Sequence, residues 1–176
     1  MQLVAIGLLA AAVTGALYTF GTLHVPDYRF SLFGQNELGA LKLKSLLATV
    51  SFGLGVLQVL LALWLYRKLP LVGSPARPVR PAHRIIGLVL FALTVPVAVH
   101  CIFAYGVVLG DPRVAVHSLA GCLFYGAFVA KVLIVQSRRL PGWTLPAAGG
   151  TLAVLLAVLW YSSAVWVYNG FQMPFT

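Results

Sequence analysis

Residues 83–139, HRIIGLVLFALTVPVAVHCIFAYGVVLGDPRVAVHSLAGCLFYGAFVAKVLIVQSRR, decide the fold. They hold two long apolar runs, 85–107 and 115–136, separated by a short turn around Gly110, Asp111, Pro112 and Arg113. A helix that crosses a bilayer needs about 20 predominantly apolar residues, and both runs satisfy that length. Working outward, three more stretches qualify: about 3–22, 46–66 and 143–167. The sequence therefore predicts an all-α integral membrane protein, a single transmembrane domain over residues 1–176 built as a bundle of five transmembrane helices.

Composition points the same way. The chain is 61% hydrophobic and only 9% charged, whereas an ordinary soluble domain is roughly a quarter charged. A core of 176 residues cannot hide that much apolar surface from water. A soluble globular enzyme is excluded. The net charge of +9 does not indicate nucleic acid as a partner, because the twelve Lys and Arg are scattered between apolar blocks and form no basic stripe. Cys101 and Cys122 sit inside apolar runs and belong to no CxxC or CxxCH pattern. They read as small buried hydrophobes. The opening MQLVAIGLLA lacks the basic start of a signal peptide and reads as a retained span.

Charge between the spans predicts orientation. Arg67, Lys68, Arg77, Arg80 and Arg84 lie between spans two and three with no acid, and Arg138 and Arg139 lie between spans four and five. Asp27, Glu37 and Asp111, the only acids, fall in the opposite connections with Arg29, Lys42, Lys44 and Arg113. Basic loops stay cytoplasmic, which puts the N-terminus inside and the C-terminus outside a cell membrane, read here as a bacterial plasma membrane. The 67–84 connection contains four prolines and reads as an extended cytoplasmic linker. No nucleotide-binding motif appears, so any chemistry belongs within the bilayer or at its edge.

Ionisable groups at membrane depth are costly and mark functional sites. Here they are His100, His117 and Lys131, with His83 and Arg84 at the cytoplasmic start of span three. His100 precedes the 110–113 turn and His117 follows it, so both belong to the outer half of adjacent antiparallel spans. Two imidazoles on facing helices can supply both axial ligands of a haem iron. At about 100° per residue, His117, Gly121, Phe124, Phe128 and Lys131 share one stripe of span four, where Gly121 gives room for a flat macrocycle and Phe124 a ring against it. Lys42, Lys44 and Arg113 are the outer cations available to haem propionates. One difficulty is depth: counted from the expected span ends, the two histidines differ by about 7 Å. An early helix break near Gly106 would close that gap.

The run HRIIGLVLFALTVPVAVH (83–100) followed by HSLAGCLFYGAFVAK (117–131) resembles the ferric-reductase-like transmembrane cytochromes. The whole chain also resembles an uncharacterised family of small actinobacterial membrane proteins, a likeness that implies no function. The cytochrome resemblance implies haem b, two stacked haems each held by one histidine from each of two helices, and electron movement from one membrane face to the other. His100 and His117 match the outer pair. The inner pair would need His83 and a histidine at the position of Lys131, so one bis-histidine site is expected. His83, Arg84 and Lys131 remain as an inner cluster for a quinone or a lipid. The expected function is electron transfer, with electrons from quinol or a partner protein in an electron-transfer complex. Two alternatives stay open: a structural or assembly subunit without a cofactor, and a small proton or metal transporter.

Overall fold

The computed structural model describes residues 1–69, 73–137 and 139–173. Five long helices run in sequence: α1 (Gln2–Leu23), α2 (Glu37–Leu65), α3 (Val79–Tyr105), α4 (Pro112–Gln136) and α5 (Thr144–Trp160). The last continues through a π-helical turn, Tyr161–Val165, into Trp166–Tyr168. All five are long and apolar enough to cross a membrane, and no strand occurs among the described residues. Their length and apolarity are those that spans of a multi-pass membrane protein have.

Local chemistry sets the helix ends. The Asn36 side chain accepts a hydrogen bond from the Gly39 N–H (2.7 Å) and caps α2. Asp111 accepts from the Val114 N–H (2.8 Å), and Pro112 takes the first position of α4, where a missing N–H costs nothing. At the end of α3, Gly106 has φ 68°. Any Cβ there would lie 2.7 Å from the Gly21 carbonyl oxygen, so only glycine fits. Two contacts then tie the loops at this end together. The Val107 N–H donates to the Gly21 carbonyl (2.8 Å), and the Phe103 carbonyl accepts from the Asp27 N–H (3.0 Å). Pro96 stays within a continuous α3, and the neighbouring Thr94 hydroxyl donates to the Phe91 carbonyl (2.8 Å).

The helices pack as α1 on α4, α4 on α5, α5 on α2 and α2 on α3. Leu90, Phe124, Leu152 and Leu156 form the central apolar core, joined by Leu54 and Phe128. Gly126 lets α1 lie directly on α4, since a Cβ there would meet the Thr14 side chain and the Ala10 carbonyl. Outward faces carry large exposed apolar residues such as Leu8, Leu60, Leu88 and Val154. That surface suits lipid and not water.

Three expectations need correction. The 67–84 connection is not extended throughout: α3 already starts at Val79, with Pro81 tolerated in its first turn. Helix α2 starts at Glu37, not near residue 46, because Asn36 caps it. At 29 residues and 1.5 Å per residue it measures about 43 Å, more than the about 30 Å of bilayer hydrocarbon. Spans three and four are also not close backbone neighbours. Aromatic rings stand between them: Phe91 stacks on Phe128 (centroids 3.9 Å), and the Tyr125 hydroxyl donates to Thr94 Oγ1 (3.2 Å). Arg138, residues 70–72 of the linker and residues 174–176 of the tail lie outside the described residues.

Candidate functional site

His117 projects from α4 towards the π-helical turn that follows α5. Its Nδ1 lies 2.9 Å from Ser162 Oγ, and the Ser162 hydroxyl donates to the Val158 carbonyl at 2.6 Å. The serine proton is thereby committed to Val158, so His117 must be the donor through Nδ1–H. That assignment leaves Nε2 with its lone pair free. Ser162 is only 3% exposed, and its carbonyl accepts from Arg113 Nη1 (2.8 Å). The Arg113 guanidinium stacks over the Trp166 ring at 3.8 Å. One turn of π-helix thus orients both the imidazole and the nearest cation, which fits the tendency of π-turns to occur at functional positions.

His100 faces the interior from α3 and is 3% exposed. Tyr105 stands edge-on to it (centroids 5.7 Å), and Phe30 from the first loop covers it at 6.1 Å. Its Nδ1 is buried without a hydrogen-bond partner among the described residues. Lys44 on α2 places its ammonium 4.4 Å over the Tyr105 ring, the ring that stands edge-on to His100.

Their places along the helices are alike. His100 lies five residues before the end of α3 at Tyr105, and His117 five residues after the start of α4 at Pro112. At 1.5 Å per residue each is about 7.5 Å inside its own helix end. Helix α3 does break at Gly106.

Other predicted residues divide. Phe124, 2% exposed, belongs to the apolar core beneath the histidines. Gly121 faces Leu159 of α5, 3.9 Å from where its Cβ would be. Lys42 is exposed. At the far end of the bundle, His83 has a buried Nδ1 without a partner and Lys131 as an electrostatic neighbour, while Arg84 is exposed. Ser162, Tyr105, Phe30 and Gln58 were not predicted. A buried serine amid the aromatic run WYSSAVW (160–166) was the one available signal for Ser162; the others depend on loop and helix placement. Among the described residues, no three His, Cys, Asp or Glu gather as a free metal ion would require.

These features describe a protein of five long apolar helices with His100 and His117 near one end. The chain belongs to a family of unknown function (DUF6529), whose model matches residues 3–175. No curated protein and no solved structure matches it.

Proposed function

We propose that this chain is a b-type haem protein embedded in a bacterial plasma membrane that carries electrons, with His100 and His117 as axial ligands of one haem. The carrying observation is the histidine pair itself. Two imidazoles come from different helices, each five residues from its helix end. His100 Nδ1 is buried without a partner among the described residues, and a His117 that donates through Nδ1 to Ser162 turns Nε2 into the nitrogen with the lone pair. Ionisable groups are buried at such depth at a cost, and a ligand that uses the free nitrogens offsets it.

The remaining residues fit this role. Hydrogen bonding of Nδ1–H to Ser162 fixes the His117 ring and raises the basicity of Nε2, as outer partners of ligating histidines do. Lys44 and Arg113 supply positive charge for two carboxylates. Phe124 and the core beneath it close the region towards the bilayer centre. Bound haem would supply one-electron chemistry at iron; Tyr105 and Phe30 restrict water around His100. With the 67–84 connection on the cytoplasmic side, the pair lies towards the outer face, and electrons would come from quinol or a protein partner. The chain is a relay component in this reading.

The test is an absorbance spectrum of the detergent-purified protein expressed with ample haem. A Soret band that sharpens on reduction is expected. It should be lost in His100→Ala and in His117→Ala, and kept in His83→Ala. A colourless, folded wild-type protein refutes the proposal.

A further inference from the structure

At the His83 end of the interior, two unpartnered polar groups lie on adjoining helices, α2 and α3. Gln58 of α2 is 9% exposed. Its Nε2 donates to the His83 carbonyl at 2.7 Å, which fixes the amide: turned over, it would set oxygen against oxygen. Its Oε1 is left buried with no donor among the described residues, and the His83 Nδ1 is likewise buried with no partner among them. Lys131 of α4, partly buried and five residues from its helix end, is the ionisable side chain within that span at the same end of the bundle. A buried acceptor without a donor is costly, and two orphaned groups in one place point to a shared ligand.

Depth and charge indicate its chemistry. His83, Lys131 and Gln58 lie four, five and seven residues from the ends of their helices. That is about 6–10 Å at 1.5 Å per residue, a depth at which a spanning helix meets the headgroup layer. Arg67, Lys68, Arg77, Arg80, Arg84 and Arg139 belong to this end of the molecule, while Asp27, Glu37 and Asp111, the only acids in the chain, belong to the other. Lys131 has no Asp or Glu at its own end, and an anion from outside the chain would supply its counter-charge. A plain phosphate diester would leave the Gln58 oxygen unsatisfied. A ligand with both a phosphate and a free hydroxyl satisfies all three groups.

We propose that Gln58, His83 and Lys131 bind a hydroxylated phosphate headgroup of the phosphatidylglycerol type. Lys131 and the His83 Nδ1–H donate to phosphate oxygens, and the headgroup hydroxyl donates to Gln58 Oε1. The site is separate from the histidine pair and does not depend on haem. A soluble glycerol phosphate shares the same chemistry, so the experiment must separate the two sources.

Binding is measured on the full chain in detergent by native mass spectrometry, with the shift in thermal unfolding as a second readout. The probes are phosphatidylglycerol, phosphatidylmethanol (same charge, no hydroxyl), phosphatidylcholine and glycerol 1-phosphate. Phosphatidylglycerol should bind about tenfold or more tightly than phosphatidylcholine, which keeps the phosphate but lacks the hydroxyl and sets a quaternary ammonium against Lys131. Lys131→Met should narrow that preference and Lys131→Arg should keep it. Gln58→Met should keep the charge preference but lose the discrimination against phosphatidylmethanol, about 3- to 10-fold for one neutral hydrogen bond. Displacement of the lipid by millimolar glycerol 1-phosphate assigns the site to the soluble ester; resistance assigns it to lipid. Equal binding of phosphatidylcholine, or unchanged selectivity in both Lys131→Met and Gln58→Met, overturns the site.

Discussion

Ser162→Ala isolates what holds His117. The substitution deletes the acceptor of the Nδ1–H bond at 2.9 Å in a position that is 3% exposed, where no water readily replaces it. A buried donor left unpaired costs about 1–3 kcal/mol, or about 5- to 150-fold at 1.4 kcal/mol per factor of ten. Outer partners of ligating histidines fall in the same range, about 10- to 100-fold in metal affinity. Haem titrated into haem-depleted Ser162→Ala in detergent should therefore bind at least about tenfold more weakly than to wild type. Ser163→Ala is the control. Its hydroxyl also donates to a helix carbonyl, that of Leu159 at 2.6 Å, but His117 is bonded to Ser162 and not to it. Haem affinity should be unaffected there. If the two alanine variants retain haem equally, the Ser162 hydroxyl does not prepare His117 as a ligand, and the tautomer argument falls with it.

Two further outcomes test the fold and its placement. Gly126→Ala should destabilise the protein by about 1–3 kcal/mol through overpacking, since its Cβ meets the Thr14 side chain and lies 2.6 Å from the Ala10 carbonyl oxygen. Gly149→Ala, with nothing within 4 Å of its Cβ, should leave the unfolding temperature in detergent unchanged or raise it, and equal melting of the two variants would contradict the α1–α4 contact. In a background lacking Cys101 and Cys122, a membrane-impermeant maleimide applied to intact cells should label Tyr28→Cys, because Tyr28 is 77% exposed. It should label Ser74→Cys only after lysis. The reverse pattern inverts the charge-based orientation.

The five apolar runs were legible because bilayer thickness imposes a length that composition alone reveals. Their ends were less so. A window of apolar residues finds the stretch that lipid surrounds, whereas a helix stops where its backbone groups run out of partners. Asn36 therefore carries α2 nine residues beyond the apolar window, and α3 begins inside a proline-rich stretch because Pro81 falls in the first turn, where its missing N–H is harmless. The histidines stood out in the sequence as ionisable residues in apolar runs. Their partners did not, because Ser162 reaches His117 only through a fold contact across 45 positions, and no local periodicity encodes such a pairing.

The same distinction bears on how the two polar regions arose within one interior. Leu90, Phe124, Leu152 and Leu156 pack together in the interior between the His83 end and the His117 end. None of the four can donate or accept a proton, whereas Tyr125 and Thr94, hydrogen-bonded beside them at 3.2 Å, can. A proton path between the faces would have to pass through that pair, while an electron carrier of the kind proposed above needs no chain of donors and acceptors. In the proposed reading the basic end would serve the membrane surface and the opposite end the cofactor.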